Sequence, residues 1–491
     1  MRKASKVFTL LLGLVLSQML TCYEIRAITV IRSETQSDSL QNKNRTAHVG
    51  NYDWEHFWKI GSIREVSKAA VSDSDAIGWL PGIRSADLSK LKNKFNVSEF
   101  KFMAIGGSTA SGVRDGGVYR EAQLSAYPNL IARQMGVAFR QPLFSESEAN
   151  GSGYKLLIDR PGPVFQYETV TNSLAFDNKS DTKEFSKLIG DYDNLALPFF
   201  NVRYPWKTME YYDRPVSEID EESTDFVRYF KRIISDQDYS DSKLTYLSFL
   251  RRKSVPDFII YDLGMDGHLK EAIIGGYVSQ LPMLSEDKRG NRIEFWFLKE
   301  IAAKGSKGVL VTIPDVLDFP YFHMYSLEKL KKLSPGIQVV VQKNNGKARN
   351  ANKNDIFLPG NSVFQLFTDK TDRVLKETEV ITVDEDLDET APFRSVKWYN
   401  DYYVKYTAKE NNFAVFDLYD LYKRINTGKY VTDDGIFADP SFPNGNFYSS
   451  DGIHPSAFGQ AIIANECIKA INSYYGTEVE LLPTAGFVKA K

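Results

Sequence analysis

The sequence predicts an α/β protein built on a mostly parallel sheet covered on both faces, with two long insertions. Short apolar runs alternate with helical stretches from Glu99 onward, the pattern of parallel strands joined by crossover helices. The runs close on polar or glycine punctuation (GGSTASG, DLGMDG, TIPDV), so one rim of the sheet collects the loops. With 43% of its 491 residues hydrophobic, the chain can bury a sizeable core.

At the N-terminus, Arg2, Lys3 and Lys6 precede VFTLLLGLVLSQML, an apolar run too short for a comfortable membrane span. Residues 1–22 therefore read as an export signal. Cys22 follows in QMLTC and leaves two readings open. One is a lipidated cysteine that tethers the protein to a membrane, on a lipobox-like pattern in which Met19 and Thr21 are imperfect. The other is simple secretion, with cleavage before Ile28. Residues 23–95 form an N-terminal extension. Its RSETQSDSLQNKNRT stretch is tail-like, whereas NYDWEHFWKIGSIREVSKAA carries aromatics that need a surface to pack on.

The main domain runs over 96–478, and 479–491 is a C-terminal tail. EFKFMAIGG predicts a strand ending in glycines, and AYPNLIARQMG a helix stopped at Gly136. DFIIYDLG is a second strand and NRIEFWFLKEIAAKGS a helix. GVLVTIPDV is a third strand, FAVFDLYDLYKRI a strand passing into a helix, and PSAFGQAIIANECIKAINSYYG the last helix. The insertions lie at about 140–250 and 318–405. In the second, KKLSPGIQVVVQKNNGKARNANKND reads as a solvated hairpin or loop. In the first, PFFNVRYPWKTMEYYDRP either covers the sheet or lines a groove; cover is the simpler reading.

The balance of 61 basic and 63 acidic side chains, net charge -2, gives no reason to expect a nucleic-acid partner. Cys22 and Cys467 are the only cysteines, so no disulfide framework remains after processing.

The chemistry concentrates in two places. FMAIGGSTASG puts Ser108 directly after a strand and two glycines, and SSDGIHPSAFGQ puts Asp451 and His454 three apart before a helix. Ser108 alone can be a helix cap. Together the three supply a nucleophile, a base to take its proton, and a carboxylate to fix the base's tautomer. Of the five histidines, His48, His56, His268 and His323 have poorer local settings.

AIGGSTASG and SSDGIHPSAFGQAIIANE resemble the first and last blocks of the SGNH/GDSL hydrolases, most closely the exported GDSL-like esterases of Bacteroidetes-type bacteria. VYREAQLSAYPNLIARQMG, FRQPLFSESEANGSGY and TIPDV resemble further pieces, and the likeness extends from about Phe100 to Tyr475. It implies a three-layer α/β/α flavodoxin-like SGNH fold and ester chemistry without a cofactor or metal. Ser108 would be nucleophile, His454 base and Asp451 its orienter. The substrate would be a small-molecule, glycan or lipid ester.

The sequence departs from the family at three points. Gly107 stands for the usual aspartate of Gly-Asp-Ser. NLALPFFNV offers Ala196 and Phe199 where an oxyanion glycine is expected, and GMDG puts Asp266 in place of an oxyanion asparagine. The expected hole is therefore Ser108 N–H, Phe199 N–H in a glycine-like geometry, and a protonated Asp266. Loss of one such donor costs about 3 kcal/mol. Two alternatives follow: a catalytically impaired protein binding glycan or lipid, and an acyl transferase to a sugar hydroxyl. Asp262, Asp266 and His268 in YDLGMDGH look like metal ligands only by composition, with no second cluster to complete a site. Asp315 and Asp318 read as turn and helix-start residues.

Overall fold

A computed structural model describes residues 62–69, 85–158, 162–176, 184–188, 190–200, 207–209, 224–273, 293–343, 346–382 and 396–488. All belong to the second of two compact units, Asp53–Lys491. The export signal, Cys22 and most of the extension lie outside the described residues.

Four parallel strands form the central sheet: β1 (Phe102–Gly106), β2 (Phe258–Asp262), β3 (Lys307–Val311) and β4 (Ala414–Phe416), adjacent in that order. Phe102 pairs with Phe258 and Gly106 with Asp262, so β1 and β2 end level with one another. Every residue of both strands is buried, which requires cover on both faces and explains why they read as unbroken apolar runs.

Residues 193–197 run parallel along the free edge of β1. Ala104 N–H donates to Asp193 O (2.9 Å), Leu195 N–H to Ala104 O (2.8 Å) and Leu197 N–H to Gly106 O (3.0 Å). From β1 the chain therefore goes outward to this edge, then crosses back to β2. That reversal leaves a crevice at the carboxyl ends of the strands, the place where ligands sit in open α/β sheets.

The helix after β1 is a single turn, α1 (Ser108–Ser111); α2 follows at Tyr127–Met135 and ends on left-handed Gly136 (φ 69°). The last helix, α3 (Ala457–Tyr475), is capped by Ser456, whose hydroxyl accepts from Gly459 N–H, and ends on left-handed Gly476. It packs on α2 and β4. Gln460 on α3 accepts from Tyr127 N–H (3.0 Å) and donates to Thr109 O (3.1 Å). One side chain thus ties the start of α3 to α1 and brings the two ends of the domain together.

The first insertion contains an antiparallel hairpin, Tyr154–Ile158 with Gln166–Val170, and Ser62–Val66 of the extension adds to it in parallel. In the second, Val339–Gln342 and Ala348–Asn350 form a hairpin that also pairs with Arg373–Lys376. Val339 and Val341 are buried, so that stretch is not solvated throughout. The extension is also held at the buried carboxylate of Asp257, which accepts from Asn93 N–H, Asn96 Nδ2 and Lys101 N–H. Beyond α3, Val479, Leu482 and Phe487 are buried, and Asn465 clasps the backbone of Leu482 from both sides.

Candidate functional site

Ser108 is the first residue of α1, immediately beyond β1. Gly107 occupies the cap position and no side chain caps this turn, so the simple capping role for Ser108 is not what the structure has. A Cβ on Gly106 would lie 2.6 Å from Ala110 Cβ and 2.9 Å from Asp262 O, so only glycine allows so tight a turn. Ser108 is 1% exposed, and its Oγ accepts from Phe199 N–H at 3.0 Å.

Phe199 has φ 60°, the conformation of a glycine. The edge segment delivers it: Asn194 Oδ1 accepts from Ala196 N–H, Tyr246 donates to Leu195 O, and Phe200 N–H is held by Asp266. The Phe199 ring packs edge-on against Tyr229 at 6.2 Å. Left-handed backbone costs an L-residue about 1–2 kcal/mol, so glycine should fit better than alanine here. Phe199→Gly is expected to be more stable than Phe199→Ala by about 1 kcal/mol, the reverse of the usual order. Denaturant melts of the two variants check this; alanine equal to or above glycine would contradict it.

Asp266 lies in the first turn of the helix Met265–Ile273, which follows β2. Its Oδ2 is an acceptor for Ser108 N–H and Phe200 N–H, both at 2.9 Å. A Cβ on Gly107 would lie 2.3 Å from that oxygen. The carboxylate thus fills the space that a side chain at 107 would take, and it occupies the Ser108 N–H. Its Oδ1 is buried without a hydrogen-bond partner. Burial pushes the Asp266 carboxyl above its ordinary value, against the Ser108 hydroxyl and N–H, the charge of His454 and the Phe200 N–H.

Asp451 and His454 meet in a tight loop before α3. Asp451 Oδ1 accepts from the backbone N–H groups of Ile453 (2.7 Å) and His454 (2.8 Å). Its Oδ2 accepts from Gly116 N–H (2.8 Å) and faces His454 Nδ1 at 2.8 Å. Burial works against this carboxylate, but His454 and the N–H donors outweigh it and hold its pKa below the usual value. A charged acceptor at Nδ1 places the imidazole proton there and leaves Nε2 bare, the tautomer a base needs. His454 is fully buried, and Nε2 has no hydrogen-bond partner.

Two groups therefore form. Hydrogen bonds join Ser108, Phe199 and Asp266; a second set joins Asp451 to His454. No hydrogen bond links Nε2 to Ser108 Oγ in this structure.

Sequence reasoning missed the support for the second group. Asp115, at φ 56°, accepts from Ser450 N–H (2.9 Å) and Tyr119 OH (2.6 Å), while its own N–H donates to Ser449 Oγ (3.0 Å). Arg114, buried beside it, bonds Tyr119 and Glu121. The signal was present in VRDGGVYRE: an Asp-Gly-Gly turn supplies left-handed backbone, and its flanking charges have to be paired.

The other acidic candidates have structural partners. Asp315 caps a short 3-10 turn through Leu317 N–H, and Asp315 and Asp318 both pair with Lys423. The His268 ring packs against Tyr399. Asp262 accepts from Tyr127 OH at 3.0 Å. Burial raises its pKa to about 7, with the charge of Asp266 adding and the Tyr127 hydroxyl opposing.

A raised folded-state pKa means that the native state holds a proton the unfolded chain has lost. The stabilisation is therefore complete below about 3.8 and disappears as pH rises through about 7. Asp262→Asn keeps an acceptor for Tyr127 and removes the charge. It is expected to flatten this fall by a few kcal/mol between pH 5 and 8. Urea melts across that range test it; parallel pH profiles for both proteins would refute it.

No family model, curated protein or solved structure matches this chain. Among the described residues no helix is long and apolar enough to cross a membrane.

Proposed function

We propose that this chain is an exported serine ester hydrolase of SGNH type, with Ser108 as nucleophile, His454 as base and Asp451 as its orienter. The observation that carries the reading is the Phe199 N–H, held in left-handed backbone 3.0 Å from Ser108 Oγ at the switch point of the sheet. The order of edge segment, β1, β2, β3, β4 is that of a flavodoxin-like sheet, which supports the finer fold assignment.

In the proposed reaction, Ser108 Oγ attacks the ester carbonyl as its proton passes to His454 Nε2. The new oxyanion takes the hydrogen bond that Phe199 N–H makes to Oγ in the free protein. Ser108 N–H stays with Asp266, so the second donor is the acid form of Asp266, protonated on Oδ1, the oxygen without a partner. His454 then protonates the leaving alkoxide. Water, deprotonated by His454, attacks the acyl carbonyl; the bond to Ser108 Oγ breaks, and His454 returns its proton to that oxygen. Ser108 and His454 are covered, so entry of substrate displaces side chains over them. Export, and lipidation of Cys22 as a membrane tether, belong to this proposal on the strength of the N-terminal sequence.

A fluorophosphonate probe on the purified protein tests the reading. Labelling of Ser108 that is lost in Ser108→Ala supports it. A folded protein that neither labels nor hydrolyses short nitrophenyl esters overturns it. That second outcome would favour a protein that only binds glycan or lipid, a reading supported by the commitment of Ser108 N–H and Phe200 N–H to a carboxylate.

A further inference from the structure

Single apolar residues at a protein surface need no explanation, but two held outward on a pinned loop among lysines do. Residues 92–98, just before β1, form such a loop. Phe95 is 68% exposed and Val97 fully so. The loop is fixed from within. The buried Asp257 carboxylate accepts from Asn93 N–H (2.8 Å), Asn96 Nδ2 (2.6 Å) and Lys92 Nζ (3.4 Å). Lys92 Nζ also spans the loop to Ser98 O at 2.5 Å, and Asn96 Oδ1 accepts from Ser98 N–H at 3.0 Å. The polar groups of the loop are thus turned inward, and its two apolar side chains stand in the solvent.

Positive charge gathers around them. Lys94 Nζ lies 4.9 Å from the centre of the Phe95 ring. A Cβ on Gly305 would be 3.0 Å from that ring, so residues 304–307 pack beside it. Lys304 O accepts from Asn93 Nδ2 (3.0 Å), and Lys307 Nζ donates to Lys90 O. Lys90 Nζ reaches Gly476 O at the end of α3, next to the half-exposed Tyr474. Across 90–101 and 304–307, six lysines stand against one exposed carboxylate, Glu99; Asp87 and Glu478 lie on the flank toward α3. Lys101, Asp257 and Lys307 stand at the starts of β1, β2 and β3, so this patch is at the opposite end of the sheet from Ser108. Five-residue strands put roughly 16 Å between the two ends. We propose that this end of the sheet docks on an anionic lipid bilayer, with Phe95 and Val97 entering the interface and the lysines meeting headgroup phosphates. Apolar side chains standing among cations fit a surface that is apolar within and anionic outside. Docked in this way, the Ser108 crevice faces away from the bilayer. If the esterase reading above holds, on which this consequence rests, the ester comes from outside the membrane on which the protein sits.

The test uses the full chain with Cys22→Ser, so that no lipid tether contributes, and a fluorescent dye attached at Val97→Cys; the other cysteine, Cys467, is buried. Vesicles of phosphatidylcholine, alone or mixed with phosphatidylglycerol, carry brominated acyl chains that quench the dye on contact. A second protein carries the dye at Lys331→Cys, an exposed position on the helix Leu327–Leu333. That helix follows Tyr321, whose N–H donates to Gly452 O beside His454, so it marks the crevice end of the sheet. Quenching is expected at Val97→Cys and not at Lys331→Cys, on the anionic vesicles, and weaker at high salt. Lys94→Gln and Lys304→Gln should each reduce vesicle affinity about fivefold, and Phe95→Ser about tenfold. Quenching at neither position, at Lys331→Cys alone, at both alike, or equally on neutral vesicles overturns the proposal. So does a dye response to soluble heparin without one to vesicles, which would mark a site for a polyanion instead. The readout is contact with lipid, so it succeeds or fails independently of ester hydrolysis.

Discussion

Ser108→Ala and His454→Ala are each expected to lower ester hydrolysis by about 10⁴-fold, and the double variant to lose no more than either alone. The reason lies in the proposed mechanism. Without the hydroxyl there is no nucleophile for the imidazole to activate, and without the imidazole the hydroxyl stays protonated. The residual rate belongs to Phe199 N–H and substrate binding. Stability should separate the variants. Ser108→Ala removes the acceptor of Phe199 N–H and the hydroxyl's interaction with Asp266, a cost of about 1–2 kcal/mol. His454→Ala opens a cavity and frees a buried carboxylate face, a cost of several kcal/mol.

Asp451→Asn completes the series. Its amide nitrogen would face Gly116 N–H or the Nδ1 proton, donor against donor, so the ring would turn to the wrong tautomer. About 10³–10⁴-fold should be lost there too. Initial rates on a short nitrophenyl ester, with melts of the same preparations, measure all four. A Ser108→Ala enzyme with undiminished rate would remove Ser108 from the mechanism.

The strands, the principal helices and the serine turn were legible because each is local. Five apolar residues ending in glycines at 102–106, or a Ser cap before AFGQAIIANE, carry their structure in a short window. The candidate residues Ser108, Asp451 and His454 lie in the same windows. What could not be read is how distant windows complete one another. That the edge segment 193–197 holds Phe199 in left-handed backbone depends on hydrogen bonds to β1. That Asp115 braces Asp451's loop depends on contacts across 335 positions of chain. Asp266 was only half legible: alignment against an asparagine marks it as a donor in its acid form, and the fold adds that its Oδ2 accepts two backbone N–H groups.

That acceptor role yields the second large expectation. Gly107→Ala should destabilise the protein by about 1–3 kcal/mol, because its methyl would enter the space of Asp266 Oδ2 and push the carboxylate from the two N–H groups it holds. Gly107 itself has φ -102°, so the backbone is no obstacle to a side chain. Asp266→Ala should cost about 1–3 kcal/mol for each N–H left unpaired, and loosen the turn that presents Phe199 N–H. Combined, the changes should cost less than their sum by at least about 1 kcal/mol, because the methyl then fills space that the carboxylate has vacated. The complementary exchange, Gly107→Asp with Asp266→Gly, returns a carboxylate to the same N–H groups from the other side. It should recover most of the stability lost in Asp266→Ala. Urea melts of the single and double variants measure the coupling. Strict additivity would mean that Gly107 and Asp266 do not share one space, and the account of the carboxylate as the brace of this turn would fail with it.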